Sequence, residues 1–308
     1  MTRIALLSQD ADLTELGDIL RQSDPQVKVF SQGQDGVDSA EIAVCWNPAP
    51  GALGQLNNLR LVHSIAAGVD HIDRQHLPAT TPVCRVVDPE LKRGMAEFVL
   101  WGVLHYHRSF DLVQAQQRNR VWSTPSQRPA HEWRIGVMGL GELGAYVAAQ
   151  LSQLGFHVRG WARSAKELIG VQTWAGEPGF APFLRGLDCV ICLMPLTGAT
   201  QGIMNSALFD QLNESAVLIH CGRGAHLVAD DLLSALDSGQ LRGALIDVFD
   251  NEPLGKDSFW WNAPNVIVTP HMASSASNRV IADQILENIG RLARNEPLLN
   301  RVDVASGY

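Results

Sequence analysis

The chain has 308 residues, of which 46% are hydrophobic and 18% charged, and its formal net charge is −8. This length exceeds what one hydrophobic core usually supports, so two domains are predicted, and the apolar content excludes an intrinsically disordered chain. The acidic balance disfavours a general nucleic-acid-binding protein, because such proteins need a basic surface.

The N-terminal part of the chain predicts short strands that alternate with helices or turns. Helices are predicted over 12–22 and 94–117, and strands over 3–8, 27–30, 42–46 and 59–65. Alternating strands and helices are typical of a parallel sheet with right-handed crossovers. A connector rich in Pro, Ser and Thr, residues 122–133, follows and predicts a surface loop.

A second alternation, better marked than the first, begins at Arg134. Helices are predicted over 142–154 and 276–294, and strands over 134–138, 157–161, 189–194, 216–220, 243–249 and 266–270. The predicted fold class is therefore α/β, with two Rossmann-like or flavodoxin-like, doubly wound parallel-sheet domains in series.

Apolar runs, the N-terminal segment and the cysteines bear on where in the cell the protein is expected. No run of about 18 apolar residues occurs, so neither a transmembrane helix nor a membrane partner is expected. The N-terminus lacks the apolar stretch and cleavage site of a secretory signal. Cys189 and Cys192 form a C-x-x-C, but they lie in an apolar run and predict two buried thiols rather than a redox or metal pair. A reducing, cytoplasmic location is expected.

A glycine motif marks the start of the second alternation. It is a G-x-G-x-x-G that follows one predicted strand and opens a predicted helix, and it reads Gly139-Leu140-Gly141-Glu142-Leu143-Gly144. The first glycine allows the tight turn, the second leaves room for a pyrophosphate, and the third lets helix and strand pack closely. The helix N-terminus attracts phosphates. The motif predicts a dinucleotide site; a glycine turn without a ligand is the alternative.

The end of the next strand bears on the choice of cofactor. NAD sites place an acid there for the ribose 2′-hydroxyl, but this chain has Ala162 at that position. Arg163, Ser164 and Lys166 follow, and they could bind a 2′-phosphate through charge-assisted hydrogen bonds. NADPH is therefore predicted in preference to NADH. The alternative is an exposed basic turn that binds nothing.

Three later strand ends deliver an arginine, an acid and a histidine. Arg223 follows the strand over 216–220, Glu252 closes the next segment, and His271 ends the last one. Ligands of an open parallel sheet bind beyond the carboxyl ends of its strands. Arginine binds carboxylates, histidine transfers protons near neutral pH, and an acid beside it stabilises the imidazolium. Taken alone, Arg223 could be a salt-bridge partner, Glu252 a solvated acid and His271 a core histidine.

Together these pieces resemble the D-isomer-specific 2-hydroxyacid dehydrogenases over essentially the whole chain. The matching segments are 66–70, 139–144, 193–205, 221–224, 247–253 and 269–271. The subgroup that looks most similar is the bacterial glyoxylate/hydroxypyruvate reductase A group. It shares the W-x-R-S turn over 161–164 and the C-terminal ending Val302-Asp303…Gly307-Tyr308.

The resemblance implies a role for each matched residue. His271 would be the general acid, Glu252 its partner, and Arg223 the group that binds the substrate carboxylate and keto oxygen. The other substrate-binding residues implied are Trp46, Ala66, Ala67 and Gly68. The other cofactor-binding residues implied are Pro195, Cys221, Gly222, Arg223 and Asp247, of which Asp247 would lie on the nicotinamide side.

Domain organisation is also implied by the resemblance. A discontinuous substrate-binding domain would comprise residues 1–96 and 279–308, with an NAD(P)-binding Rossmann domain over 97–278 inserted and a cleft between the two. Family members are usually dimers through the inserted domain, so a homodimer is expected.

The expected activity is NADPH-dependent reduction of a small 2-keto acid, glyoxylate to glycolate or hydroxypyruvate to D-glycerate. One alternative is a bulkier substrate such as phenylpyruvate or a branched-chain 2-keto acid. Another is a catalytically silent NADPH-sensing protein, although the retained arginine, acid and histidine argue against it. No metal is expected, because the ten histidines are scattered without a ligand spacing.

Overall fold

The structure is a computed structural model that describes residues 1–73, 77–78 and 80–302. The chain divides into two compact units. Unit 1 comprises Met1–Leu91 and Ser275–Tyr308, and unit 2 comprises Lys92–Ser274. The predicted boundaries, at 96/97 and 278/279, lie a few residues further along the chain. Asp303, Gly307 and Tyr308, which belong to the C-terminal resemblance, lie outside the described residues.

Unit 1 is built on a five-stranded parallel sheet. Its strands are β1 (Thr2–Ser8), β2 (Val27–Ser31), β3 (Ile42–Trp46), β4 (Leu61–Ser64) and β5 (Val83–Cys84). Their order is β2-β1-β3-β4-β5 and every pairing is parallel. This is the flavodoxin-like order, whose switch point lies between β1 and β3.

Two helices of unit 1 pack against each other. Helix α1 (Thr14–Ser23) and helix α8 (Asn278–Arg294) are far apart in sequence, but Asn278 Nδ2 donates to Glu15 Oε2 at 2.7 Å. The other face of the sheet carries an apolar cluster that includes Ala5, Ala43 and Val62. Helix α8, near the C-terminus, thus belongs to the same unit as the N-terminal sheet and packs against α1.

Unit 2 is built on a seven-stranded parallel sheet. Its strands are β6 (Arg134–Met138), β7 (His157–Ala162), β8 (Gln172–Ala175), β9 (Cys189–Cys192), β10 (Ala216–His220), β11 (Leu241–Ile246) and β12 (Val266–Val268). The order β12-β11-β10-β9-β6-β7-β8 is that of a dinucleotide-binding Rossmann fold with one added edge strand. Its switch point lies between β6 and β9. The predicted fold class is confirmed in both sheets.

The helices of unit 2 complete a doubly wound arrangement. They are α2 (Pro89–His107, most of which belongs to this unit), α3 (Phe110–Arg118), α4 (Glu142–Gln153), α5 (Phe180–Leu184), α6 (Ser206–Phe209) and α7 (Ala229–Asp237). Along β9, Cys189 and Ile191 enter one apolar cluster, whereas Val190 and Cys192 enter another. The strand is therefore buried on both faces, as expected of a parallel sheet.

Three local differences separate the prediction from the structure. The single helix predicted over 94–117 is wrong: it is two helices, because Ser109 adopts a left-handed φ of 57° that ends α2. Strands β5 and β8 were not predicted, since each is short and lies at the edge of its sheet. Helices α5, α6 and α7 were also not predicted.

Candidate active site

The predicted arginine, acid and histidine lie on consecutive loops at one edge of the unit 2 sheet. Strands β10, β11 and β12 are neighbours, and Arg223, Glu252 and His271 follow their respective carboxyl ends. The glycine motif follows β6 at the same edge, since all the strands are parallel. Sheet order therefore places these side chains and the dinucleotide motif where an open α/β sheet binds ligands.

His271 and Glu252 form a hydrogen-bonded pair. The distance between His271 Nδ1 and Glu252 Oε2 is 2.7 Å, and Glu252 Oε1 accepts from the main-chain N–H of Phe249 at 2.8 Å. Burial raises the pKa of Glu252, but these hydrogen bonds and the charges of His271 and Arg223 outweigh it and leave the pKa below its ordinary value. The carboxylate thus engages the Nδ1 edge of the ring, and an imidazole held in this way gains or loses a proton at Nε2. Both side chains stay about a quarter exposed, at 28% and 26%.

The loop that carries His271 is held by Asp247. The Asp247 carboxylate accepts from Thr269 Oγ1 at 2.6 Å, from the Met272 N–H at 2.9 Å and from the Ala273 N–H at 3.0 Å. The His271 N–H donates to the Asp247 carbonyl at 2.9 Å, and His271 has a left-handed φ of 51°. Such a φ is unfavourable for a side chain with a Cβ and persists where the surroundings fix it. Asp247, predicted to contact the cofactor, thus engages the His271 loop with both carboxylate oxygens.

Arg223 lies in a tight loop after β10. Its Nη1 donates to the Gly222 carbonyl at 2.7 Å. Its main-chain N–H donates to His226 Nδ1 at 2.9 Å, and its carbonyl lies 2.9 Å from His220 Nε2. Both histidines are completely buried. In the sequence, His220 is the last residue of a predicted strand, and nothing assigns a role to His226. Their spacing on either side of Arg223 is the signal that could have indicated these contacts.

The glycine motif fits a dinucleotide phosphate. Gly139 has a φ of +96°, and a Cβ there would lie 2.8 Å from the Leu193 carbonyl oxygen. A Cβ on Gly144 would collide with the Gly139 carbonyl, so helix α4 can approach β6 only with glycine at that position. A Cβ on Gly141, the N-cap of α4, would meet nothing within 4 Å. Open space in front of a helix N-terminus is what a pyrophosphate requires.

The other motif positions serve that helix. Leu140 is buried in the core of unit 2, and Leu143 packs on the same cluster. Glu142 begins α4 and forms a salt bridge with Lys92. An acid in the first turn of a helix is favourable to the helix itself but opposes an incoming phosphate, so the lysine moderates that charge.

The basic turn after β7 is open to solvent. Ala162 is buried at the strand end, whereas Arg163, Ser164 and Lys166 are exposed. Trp161 Nε1 donates to the Gly176 carbonyl at 2.8 Å, which ties the turn to the segment after β8. The charged groups of Arg163 and Lys166 and the hydroxyl of Ser164 are thus accessible to a ligand at the end of β7, the second strand of the Rossmann fold.

Pro195, Cys221 and Gly222 lie beside the Arg223 loop. The Pro195 carbonyl is 3.2 Å from His226 Nε2 and accepts from Thr200 Oγ1 at 3.0 Å. Cys221 is buried, and burial raises the pKa of its thiol well above its ordinary value. A Cβ on Gly222 would lie 2.8 Å from His226 Nδ1, so this position requires glycine. These residues therefore shape the loop through packing and main-chain contacts.

The remaining predicted substrate residues belong to unit 1. Trp46 ends β3, and its ring centroid lies 4.9 Å from that of His71. Ser64 Oγ accepts from the Ala66 N–H at 3.0 Å and donates to the Gly68 carbonyl at 2.8 Å. Arg85 Nη1 donates to the Ala67 carbonyl at 3.3 Å. The loop over 65–68 is therefore tied down at the end of β4; its contact with a substrate stays a prediction.

The cysteines of this chain are buried thiols. All five cysteines are buried and unpaired by disulfides, so the prediction of two buried thiols at Cys189 and Cys192 is confirmed. Among the residues that the structure describes, no three His, Cys, Asp or Glu side chains group to hold a metal ion. In the same described part of the chain, no helix is both long and apolar enough to span a membrane.

Comparison with known proteins gives consistent matches. A family model described as D-isomer specific 2-hydroxyacid dehydrogenase, NAD binding domain, matches residues 100–273. Glyoxylate/hydroxypyruvate reductase A from Serratia proteamaculans is 40% identical over 289 residues, which is 92% of each chain.

Solved structures agree over nearly the full length. A D-isomer specific 2-hydroxyacid dehydrogenase family protein from Klebsiella pneumoniae is 45% identical with a TM-score of 0.95, covering 98% of this chain and 97% of that one. A D-isomer specific 2-hydroxyacid dehydrogenase from Xanthobacter autotrophicus, solved in complex with NADPH and MES, is 38% identical with a TM-score of 0.91, covering 100% and 99%. On these matches, the chain belongs to the D-isomer specific 2-hydroxyacid dehydrogenases and carries the NAD-binding domain of that family.

Proposed function

We propose that this protein reduces a small 2-keto acid with NADPH, converting glyoxylate to glycolate or hydroxypyruvate to D-glycerate. The observation that carries the proposal is the hydrogen-bonded pair of His271 and Glu252. These residues follow β12 and β11, and Arg223 follows β10, the next strand of the same sheet. The substrate class is supported by the Serratia reductase and its coverage of this chain.

His271 is the general acid of the proposed reaction. When bound, NADPH supplies the hydride that reduces the keto carbon. The imidazolium gives its Nε2 proton to the alkoxide oxygen, while Nδ1 stays hydrogen-bonded to Glu252. The ionised carboxylate stabilises the imidazolium before transfer and fixes the ring orientation throughout. The 2-hydroxy acid product then dissociates, and the ring takes up a proton from solvent.

Arg223 binds the charged end of the substrate. A guanidinium offers a planar set of N–H donors that fits a carboxylate, and it keeps its charge at any pH at which the enzyme works. The same charge stabilises the negative charge that develops on the keto oxygen. The contacts of Trp46, Ala66, Ala67 and Gly68 with substrate stay predictions from the family resemblance.

The cofactor preference rests on the turn after β7. Arg163, Ser164 and Lys166 are exposed there, and Ala162 leaves no acid to repel a 2′-phosphate. The relative from Xanthobacter autotrophicus was solved with NADPH, which supports the same choice. We assign NADPH rather than NADH on these two grounds, with the phosphates at the N-terminus of α4.

A homodimer through unit 2 is part of the proposal. None of the nine residues of α3, all of them described, is buried. Large apolar side chains of α2, α3 and the segment after them are exposed: Trp101, Leu104, Phe110, Leu112, Val113, Val121 and Trp122. Exposed apolar side chains gathered in one stretch of the chain favour a site of protein association there.

The decisive experiment is an assay of NADPH and NADH oxidation, followed by the loss of absorbance at 340 nm (the reduced nicotinamide band), against glyoxylate, hydroxypyruvate, pyruvate and phenylpyruvate. Rapid turnover of the first two with NADPH is expected. A preference for phenylpyruvate would keep the mechanism but replace the substrate. NADPH binding without turnover of any of the four would favour a sensor and overturn the proposal.

A further inference from the structure

The main chain of Arg223 lies between two buried imidazole rings. His220 Nε2 lies 2.9 Å from the Arg223 carbonyl oxygen, and His226 Nδ1 lies 2.9 Å from the Arg223 nitrogen. The two rings are T-shaped to each other, with centroids 5.9 Å apart. Both main-chain hydrogen-bonding groups of Arg223, its N–H and its C=O, are therefore engaged by side chains that solvent does not reach.

The hydrogen bonds fix the tautomer of each ring. The Gly222 N–H donates to His220 Nδ1 at 3.4 Å, so the proton of His220 lies on Nε2 and is donated to the Arg223 carbonyl. His226 Nδ1 lies 2.9 Å from the Arg223 nitrogen and 3.0 Å from the Arg223 carbonyl oxygen, and His226 Nε2 lies 3.2 Å from the Pro195 carbonyl oxygen. A proton on Nε2 satisfies both the Arg223 N–H and the Pro195 carbonyl, whereas a proton on Nδ1 would serve only the Arg223 carbonyl, which already accepts from His220 and from the His226 N–H, so we place the proton on Nε2. Burial, followed by the proximity of His226, lowers the pKa of His220 to about 3 and keeps that ring neutral.

The loop leaves little room for another arrangement. A Cβ on Gly222 would contact the His226 ring, and a Cβ on Gly224 would collide with the main chain of Phe249 and Asp250. That main chain leads directly to Glu252. The two rings and the two glycines thus determine where the Cα of Arg223 lies relative to the acid–base pair.

We propose that His220 and His226 are positioning residues for the reaction: they fix the main chain of Arg223, and His226 also joins it to the Pro195 segment. The proposal rests on the proposed function, in which Arg223 binds the substrate carboxylate. Neither ring touches substrate; each acts through Arg223. A guanidinium displaced by about 1 Å is expected to lose much of its effect on rate.

Conservative substitutions separate this role from simple packing. The amide nitrogen of Gln lies about where Nε2 of His lies, whereas the amide oxygen of Asn lies about where Nδ1 lies. At position 220 a donor at Nε2 is needed, so His220→Gln should retain function and His220→Asn should not. At position 226 an acceptor at Nδ1 is needed, so His226→Asn should retain function and His226→Gln should not.

The readouts are kcat/KM for glyoxylate and, without turnover, the dissociation constant of oxalate from the NADPH complex. We expect His220→Asn and His226→Gln to lose about tenfold or more in both, with the other two variants within a few-fold of wild type. If Gln and Asn rank in the same order at both positions, side-chain size is responsible and the proposal is overturned. Circular dichroism establishes that each variant is folded.

A second measurement needs neither turnover nor a stable variant. In a long-range proton–nitrogen NMR spectrum of the wild type, both rings should carry their proton on Nε2 and an unprotonated Nδ1. A proton on Nδ1 of either ring would overturn the proposal. If the wild type reduces no 2-keto acid but oxalate binding and ring tautomers are as expected, the proposed function fails and the positioning of Arg223 stands.

Discussion

The Nδ1 atom of His271 and the Oε2 atom of Glu252 lie 2.7 Å apart, although 19 residues separate them in the chain. The second oxygen of Glu252 is held by the Phe249 N–H, so the carboxylate cannot rotate away from the ring without losing a hydrogen bond. This relationship defines which nitrogen of His271 faces the carboxylate; in the proposed reaction the other nitrogen, Nε2, gives its proton to the substrate.

Replacing Glu252 by Gln should impair catalysis more than binding. The amide cannot stabilise an imidazolium, so kcat should fall by about 10²-fold, and the decline of reductase activity toward alkaline pH should move to lower pH. The measurement is kcat for glyoxylate between pH 5.5 and 9. Asp250→Asn, which removes an exposed carboxylate from the same loop, is the control and should change neither quantity. An unshifted profile in Glu252→Gln would remove Glu252 from the mechanism.

Asp247 should affect the geometry of the His271 loop. In Asp247→Asn, an amide N–H₂ faces one or more of the N–H and O–H donors that now point at the carboxylate, so kcat/KM should fall by roughly 10²-fold. Burial raises the pKa of Asp247, so removing the charge recovers part of its desolvation cost. We therefore expect the thermal midpoint of Asp247→Asn to fall by only a few degrees. The loss of activity should be larger than this loss of stability can explain.

Thr269→Val is the matched control for that experiment. It removes one of the three donors to Asp247 and leaves the two main-chain N–H groups in place. Its loss of activity should be clearly smaller than that of Asp247→Asn. Equal losses in the two variants would mean that the Met272 and Ala273 bonds do not hold the loop, and Asp247 would return to the predicted cofactor role alone.

The sequence predicted the strands and the edge of the sheet better than the support around the site. Arg223, Glu252 and His271 were found because each follows an apolar segment that predicts a strand, and the end of such a segment can be recognised from local sequence. His220 and His226 could not be found in this way, because their contacts with the Arg223 main chain depend on the tertiary turn. The loop-holding role of Asp247 was missed for the same reason, since its partners lie 22 to 26 residues away. The break at Ser109 has no helix-breaking residue to mark it.

Cofactor choice should depend on Arg163. Loss of one charge-assisted hydrogen bond to a 2′-phosphate costs about 1.5–3 kcal/mol, so Arg163→Ala should lower kcat/KM for NADPH by about 10- to 10²-fold and leave that for NADH nearly unchanged. Arg163→Glu should lower it further through repulsion. Arg185→Ala, which removes an exposed arginine after α5, is the control. Equal losses with both cofactors would place Arg163 outside the 2′-phosphate site.

Association should depend on the apolar surface of α2 and α3. Phe110→Glu places a charge among these exposed apolar side chains, and the proposed dimer should dissociate, because a buried unpaired charge costs several kcal/mol. Sedimentation velocity of wild type and variant gives the mass directly. Ile169→Glu alters a fully exposed apolar residue elsewhere in unit 2 and should leave the mass unchanged. A monomeric wild type would contradict the proposed dimer.

Acid stability should depend on the neutral state of His220. Its native pKa, lowered to about 3 by burial and by His226, lies below the value of about 6.5 expected in the unfolded chain. Between these two values the unfolded state binds a proton that the native state does not. The free energy of unfolding of unit 2 should therefore fall by about 1.4 kcal/mol for each pH unit below about 6.5 on account of this residue.

His220→Gln keeps the donor to the Arg223 carbonyl but cannot be protonated, so it isolates that contribution. Urea unfolding at several pH values between 5 and 7.5 gives the free energy of unfolding as a function of pH. Its slope should be smaller in the variant by about 1.4 kcal/mol per pH unit, the contribution of one proton. His131→Gln replaces a histidine whose side chain is 75% exposed, and it should leave the slope as it is in the wild type. If His220→Gln has the wild-type slope, the His220 ring is protonated in the native protein in that range. A protonated ring could no longer accept the Gly222 N–H at Nδ1, and the arrangement that holds the Arg223 main chain would have to be redrawn.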